Sequence, residues 1–158
     1  MTTNFYSSPQ AFSSATDDWA TPRDFFKKLA AEFNFVFDAA ASSTNHLTPS
    51  WCGLDHVDPA RQDGLLFDWA AEAAALGGDV WMNPPYGKTI IDWVRKADAE
   101  SQKGVTVVCL VPSRTDTRWF HDYCAHHELR FVKGRLKFGN ATNAAPFPSL
   151  VVVMRGKP

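Results

Sequence analysis

At 158 residues the chain is the size of one domain, with room for one substantial core but not for a catalytic domain beside a full separate recognition domain. Its 45% apolar content describes an ordinary globular protein, and the lack of a membrane-length apolar run or signal-peptide pattern points to a soluble, cytoplasmic one with no membrane partner. A net charge of −1 offers no general attraction to a polyanion, so a nucleic acid would have to be held by a local patch.

In chain order, residues 1–17 are rich in Ser, Thr, Asn and Gln and read as a flexible arm, leaving 18–158 as the single domain. Thr21 is placed to cap a helix with Pro22 at its first position, and Phe25, Phe26, Leu29, Ala30 and Phe33 recur at helical spacing. "FNFVFD" reads as a strand ending at Asp38. Residues 39–68, punctuated by Asn, Pro, Gly and Ser, are expected to be irregular, with one very short strand near Trp51. "LLFDWAAEAAALGG" predicts a short helix closed by Gly77 and Gly78.

The second half alternates more plainly. "DVWMN" is a strand, "TIIDWVRKADAESQKG" a helix, "VTVVCLVP" a strand too apolar to meet water on either face, and "TDTRWFHDYCAHH" a helix; "LRFVKG" and "SLVVVMR" are two further strands. The expectation is an α/β fold of three layers with a mostly parallel sheet and an antiparallel pair at one edge. "ELRFVKGRLKFG" carries Arg130, Lys133, Arg135 and Lys137 against Glu128, a local excess of positive charge that reads as a strand, a turn and a second short strand.

Cys52, Cys109 and Cys124 have neither zinc-site spacing nor the even count of a disulfide scaffold, and read as reduced core thiols. The five histidines suggest no metal: His121 and His126, five apart on a helix, do not share a face, and no carboxylate pair completes a site.

Ligands of open α/β sheets bind beyond the carboxyl ends of the strands. Three such ends are polar here: Asp38, the "NPPY" of Asn83, Pro84, Pro85 and Tyr86, and the "PSRTDT" after the apolar strand; they are expected to converge on one cleft. Asp38, followed by three alanines and a serine, can either cap the next turn or receive a ligand with a cationic or amino head. In "NPPY", the Asn83 side-chain carbonyl and the Pro84 backbone carbonyl are two acceptors, and Pro85 holds Pro84 extended so that they are pre-aimed. Tyr86 offers a ring face. A ring-borne amino group suits this set: its two hydrogens meet the acceptors, its ring lies on Tyr86, and its nitrogen becomes tetrahedral and nucleophilic toward a cationic methyl donor.

The ordered set "DDWATPRDFFKKLAAEFNFVFDAAAS", "DGLLFDW", "VWMNPPYG", "VPSRTDTRWFH", "KGRLKFG" and "FPSLVVVM" resembles the small phage and prophage DNA adenine-N6 methyltransferases, over nearly the whole chain. The resemblance implies a Rossmann-like methyltransferase fold, S-adenosylmethionine as cofactor and duplex DNA as partner, with a flipped adenine held by Asn83, Pro84, Pro85 and Tyr86. It implies that Trp19, Ala20, Thr21, Pro22, Asp38 and Ala39 hold the methionine end of the cofactor, that Asn45, an asparagine the family commonly has in the following loop, also contacts the cofactor, and that Asp63, with Asp55 and Asp58 nearby, lies by the adenosine. Lys88, Ser113, Arg114, Thr115, Asp116, Thr117, Arg135 and Lys137 would flank the base and DNA backbone. "DAAAS" stands where methyltransferases at large carry a glycine-rich loop. With no evident recognition insert, selectivity would come from the arm, the Arg135 loop or a homodimer partner. Transfer to cytosine N4, RNA or a protein amide, and a non-enzymatic phage nucleic-acid-binding factor, are the alternatives.

Overall fold

The computed structural model describes residues 20–139 and 144–158; the arm expected over 1–17 and Trp19 lie outside them. Helix α1 (Arg23–Ala30) leads into β1 (Phe35–Asp38), followed by β2 (Ser50–Trp51), a 3-10 turn (Pro59–Arg61), α2 (Trp69–Leu76), β3 (Asp79–Met82), α3 (Ile90–Gln102), β4 (Val107–Pro112), a π-helical turn (Phe120–Cys124), β5 (Glu128–Phe131) and β6 (Ser149–Met154). The strands form one six-stranded sheet in the order β2-β1-β3-β4-β6-β5. β1 to β4 pair in parallel, whereas β6 is antiparallel to both neighbours. The expected antiparallel pair therefore forms, but the last strand slots inside the sheet and β5 becomes the edge.

Alternation along the strands sorts two cores. Phe37, Val80, Met82, Val107, Cys109, Val111, Leu150 and Val152 face α2, α3 and the π-helical turn. Trp81, Val108, Leu110, Val151 and Val153 face the other way, under Phe25, Phe26 and Leu29 of α1 and the segment carrying Leu136, Phe138 and Phe147. Every residue of β4 and β6 is buried, as a strand covered on both sides requires. The three cysteines are free and buried. Among the described residues no helix is long and apolar enough to cross a membrane.

Three local expectations are corrected. Thr21 makes no cap: Pro22, expected as the first helical residue, is itself the N-cap of α1, without a side-chain capping bond, and the Thr21 hydroxyl turns instead to Asn83. After Phe131 no second short strand follows, since residues 135–138 leave the sheet edge to pack Phe138 over its face. The helix expected over "TDTRWFHDYCAHH" contracts to a short segment ending in the π-helical turn, its first turn held by Thr117, whose hydroxyl donates to the Arg114 carbonyl and accepts from the Phe120 amide.

The start of α2 rests on a carboxylate from a distant helix. Glu100, 1% exposed, accepts the Ala70 amide at 2.8 Å through Oε2 and ion-pairs through Oε1 with Lys96 at 2.6 Å and Lys103 at 3.0 Å. A buried carboxylate is tolerated when its lone pairs are filled in this way, and removing it leaves the partners uncompensated. Glu100→Ala is expected to lower the unfolding free energy by about 3 kcal/mol in urea denaturation, and Glu100→Gln by about half of that, because the amide still accepts from Ala70.

Candidate functional site

Asp38 ends β1 with its side chain opposite in parity to the core residue Phe37, and pairs in register with Trp81 of β3. Two residues beyond Trp81, the alternation carries Asn83 to the same side of the sheet. A solvent-open cleft lies there, lined by Thr21, Asp38, Asn45, Leu47, Trp81 and Asn83, with Ala40, Ala41, Ser42, Pro84 and Pro85 around them.

Asp38 is both a turn-former and an open acceptor. Its Oδ2 accepts the Leu47 amide at 3.0 Å, which folds the 39–47 loop back over the strand end, while its backbone carbonyl accepts the Cys52 amide. Its Oδ1 is buried and, among the described residues, has no hydrogen-bond partner. Burial pushes the carboxyl up to about 7, against the opposing pull of the Leu47 and Ala40 amides. A buried acceptor without a donor, on the wall of a cleft, calls for a ligand that brings N–H groups and positive charge.

Asn83 is clamped at both ends. Its Nδ2 donates to Thr21 Oγ1 at 3.1 Å and its Oδ1 accepts the Tyr86 hydroxyl at 2.9 Å, the same hydroxyl lying 3.3 Å from the Leu110 carbonyl of β4. Burial holds the Tyr86 phenol far above its ordinary value, so it stays a neutral donor. Its ring meets Phe138 and Phe147 nearly perpendicularly, at centroid distances of 6.3 and 5.4 Å. Nothing local foretells these aromatic contacts or the Thr21 bond, which span from 52 to 62 residues of chain.

The remaining predicted residues fall in distinct places. Ala39 is fully buried, its amide bonded to the Trp81 carbonyl, and the Ala20 carbonyl accepts the Gly139 amide, tying the 135–139 segment to the lip of the cleft. Asp63 is exposed and its Oδ1 caps its own turn at the Leu65 amide; Asp58 caps the 3-10 turn, and Asp55 is taken up by Ser43. The next residue, Gly64, comes so near β1 that an added Cβ would lie 2.4 Å from the Ala39 carbonyl and 3.0 Å from Trp93. Ser113 follows β4 and is tied to the Pro148 carbonyl, so the third polar strand end stands beside the cleft without lining it. Lys88, Arg114, Thr115, Asp116, Arg135 and Lys137 are exposed and Thr117 is half-buried. Arg130 is not a free cation: it pairs with Glu32 at 2.6 Å and Glu128 at 2.7 Å.

The family described as DNA N-6-adenine-methyltransferase (Dam) matches residues 9–156. Over 149 residues the chain is also 28% identical to the DNA N-6-adenine-methyltransferase of Haemophilus phage HP1 (strain HP1c1), covering 89% of this chain and 80% of that protein.

The raised carboxyl of Asp38 has a direct consequence for the ligand-free protein. Because the folded state binds the Asp38 proton more tightly than the unfolded chain, this group's contribution to stability is full below about pH 4 and is lost as the pH rises toward 7. Asp38→Asn keeps an acceptor for the Leu47 amide and carries no charge. It is expected to lose this pH dependence and to melt at least as high as the parent at pH 8, read from melting temperatures measured at a series of pH values.

Proposed function

Since the chain belongs to the DNA N-6-adenine-methyltransferase (Dam) family and is an adenine-specific DNA methyltransferase, we propose that it transfers the methyl group of S-adenosylmethionine to N6 of an adenine flipped out of duplex DNA into the Asp38–Asn83 cleft. The observation that carries this reading is the pairing, in one cleft, of a carboxylate oxygen that has no hydrogen-bond partner among the described residues with the clamped Asn83-Pro84-Pro85 turn. The strand order, with one antiparallel strand inserted beside the last parallel one, supports a Rossmann-like methyltransferase fold.

The cleft fits the cofactor's methionine end. Asp38 Oδ1 has the acceptor and the charge for its ammonium group, Asn45 and Thr21 line the same wall, and the alanines after Asp38 leave room for close approach. Trp19, Ala20 and Pro22 would frame this end through their chain positions beside Thr21, and Ala39 through its backbone. Asp63, whose turn is held near the strand end through Gly64, would lie by the adenosine half, with Asp55 and Asp58 as the other carboxylates nearby; all three accept bonds within their own loops. S-adenosylmethionine supplies an electrophilic methyl carbon on a sulfonium.

Adenine N6 is unreachable inside the helix, so the base must leave the stack, at a cost of a few kcal/mol. Asn83 Oδ1 and the Pro84 carbonyl then accept one N6 hydrogen each. Oδ1 has two lone pairs, so it can keep the Tyr86 hydroxyl and take the base as well. These bonds would draw the nitrogen toward tetrahedral geometry and release its lone pair from the ring, making it the nucleophile. The proton that the nitrogen gives up would pass to solvent water. Because Nδ2 is held by Thr21, the amide cannot turn its donor end to the base. Tyr86 would offer its ring to the flipped base, and the edge-to-face contacts of Phe138 and Phe147 support that ring from the core.

Lys88, Arg135 and Lys137, all exposed, with the Ser113 to Thr117 loop, would be the groups that meet phosphates. With Arg130 neutralised and the whole chain at −1, few phosphates are engaged and binding is weak at physiological salt.

Asn83→Ala is expected to reduce methyl transfer at least a thousandfold while leaving S-adenosylmethionine affinity unchanged in calorimetry, and Asp38→Asn to weaken that affinity about tenfold or more. Parental activity in the Asn83 variant would refute the assignment. Tyr86→Phe keeps the ring and loses the hydroxyl, so kcat is expected to fall about tenfold with cofactor affinity unchanged. Methylation-sensitive sequencing of DNA from cells expressing the chain reads the base and its context; signal at cytosine instead of adenine would exclude N6 transfer.

A further inference from the structure

We propose that Asp98, His126 and His127 form a site for one divalent transition-metal ion of the zinc type, at the end of the sheet opposite the methyl-transfer cleft. The ligands come from two elements: Asp98 from the later half of α3, and the two histidines from the turn that delivers the chain into β5. α3 runs back from the cleft end of the sheet. β5 is parallel to β4, because both are antiparallel to β6, so its first residue lies at the end away from Asp38 and Asn83. The site is therefore remote from the cleft.

Both imidazoles address the same carboxylate oxygen. His126 Nε2 lies 3.1 Å and His127 Nε2 2.7 Å from Asp98 Oδ1, and the three atoms all fall within 4.8 Å of one another. The rings are neighbours, with centroids 4.1 Å apart and planes inclined by 39°. A tetrahedral ion with ligand bonds of about 2.0–2.1 Å sets its ligand atoms about 3.3 Å apart. Each nitrogen would draw back from the oxygen by a few tenths of an ångström, while the three ligand atoms, within 4.8 Å of one another, close around the ion by imidazole rotation.

The donor set decides the class of ion. Two imidazoles and one carboxylate suit zinc, cobalt, nickel or copper and are too nitrogen-rich for magnesium or calcium. Three protein ligands leave a fourth position for water, on the side where His126 is about half exposed. His127 and Asp98 are mostly covered, which restricts their motion. No sequence spacing pairs these residues, since Asp98 stands 28 and 29 positions before the histidines. Bound metal would fasten α3 to the start of β5, an edge strand hydrogen-bonded on one side alone. The ion would add to stability by mass action and leave methyl transfer untouched.

The test uses the full chain, stripped with chelator and titrated with zinc chloride in a calorimeter, with magnesium chloride as control. One equivalent is expected to bind with a dissociation constant of about 10 µM or tighter and to raise the melting temperature by about 5 °C. Magnesium is expected not to bind. His126→Ala, at an exposed position, should keep parental methyl transfer as a check on folding and weaken zinc binding at least tenfold; Asp98→Asn should weaken it similarly. Cobalt substitution should give a visible spectrum without a thiolate charge-transfer band. A thiolate band, zinc binding undiminished in both variants, or the absence of one-to-one binding below about 100 µM would overturn the proposal.

Discussion

A strand buried on both faces has nowhere to put a polar side chain, and β4, all of whose residues are buried, imposes that condition on the centre of this protein. It joins the parallel half of the sheet to the antiparallel one, so its apolar character is what allows two cores to exist in so short a chain. Chemistry is consequently pushed to where the strands stop. Asp38 and Asn83 both stand at such ends, and β4 reaches toward them through a backbone carbonyl, that of Leu110, under the Tyr86 hydroxyl.

Two opposite solutions to burying a carboxylate occur in the same molecule. Glu100 is surrounded by an amide and two ammonium groups, and serves to anchor one helix on another. Asp38 holds the Leu47 amide on one oxygen, with the Ala40 amide close by, and among the described residues its other oxygen has no hydrogen-bond partner. The first carboxylate is saturated by its own neighbours, and the second leaves an acceptor open. That difference in satisfaction distinguishes the architectural carboxylate from the one for which we propose a ligand.

The alternation of apolar runs made most of the fold legible, because β3, α3, β4 and β6 are each defined by burial that a linear pattern records. β2, two residues long, was legible only as a hint near Trp51, since its pairing is set by β1. The strand-end polar residues were legible because a carboxylate or a proline pair after an apolar run is locally out of place. What could not be read was long-range: the Thr21 hydroxyl reads as a helix cap until Asn83 is folded beside it. The basic stretch of residues 130–137 reads as a patch until Glu32 and Glu128 claim Arg130. Likewise Phe138 reads as the middle of a strand, and only the turn away from the sheet edge brings it over Tyr86.

The approach of Gly64 to Ala39 bears on how this site can change. With no room for even one carbon between Gly64 and the strand end, the spacing of that loop from Ala39 and Trp93 is set by backbone contact, and no side chain at position 64 can adjust it. The loop is thus seated at a fixed distance on the α3 side of the strand end. Change in the cleft itself would have to act through the residues that line it, above all those of the 39–47 turn that Asp38 ties down.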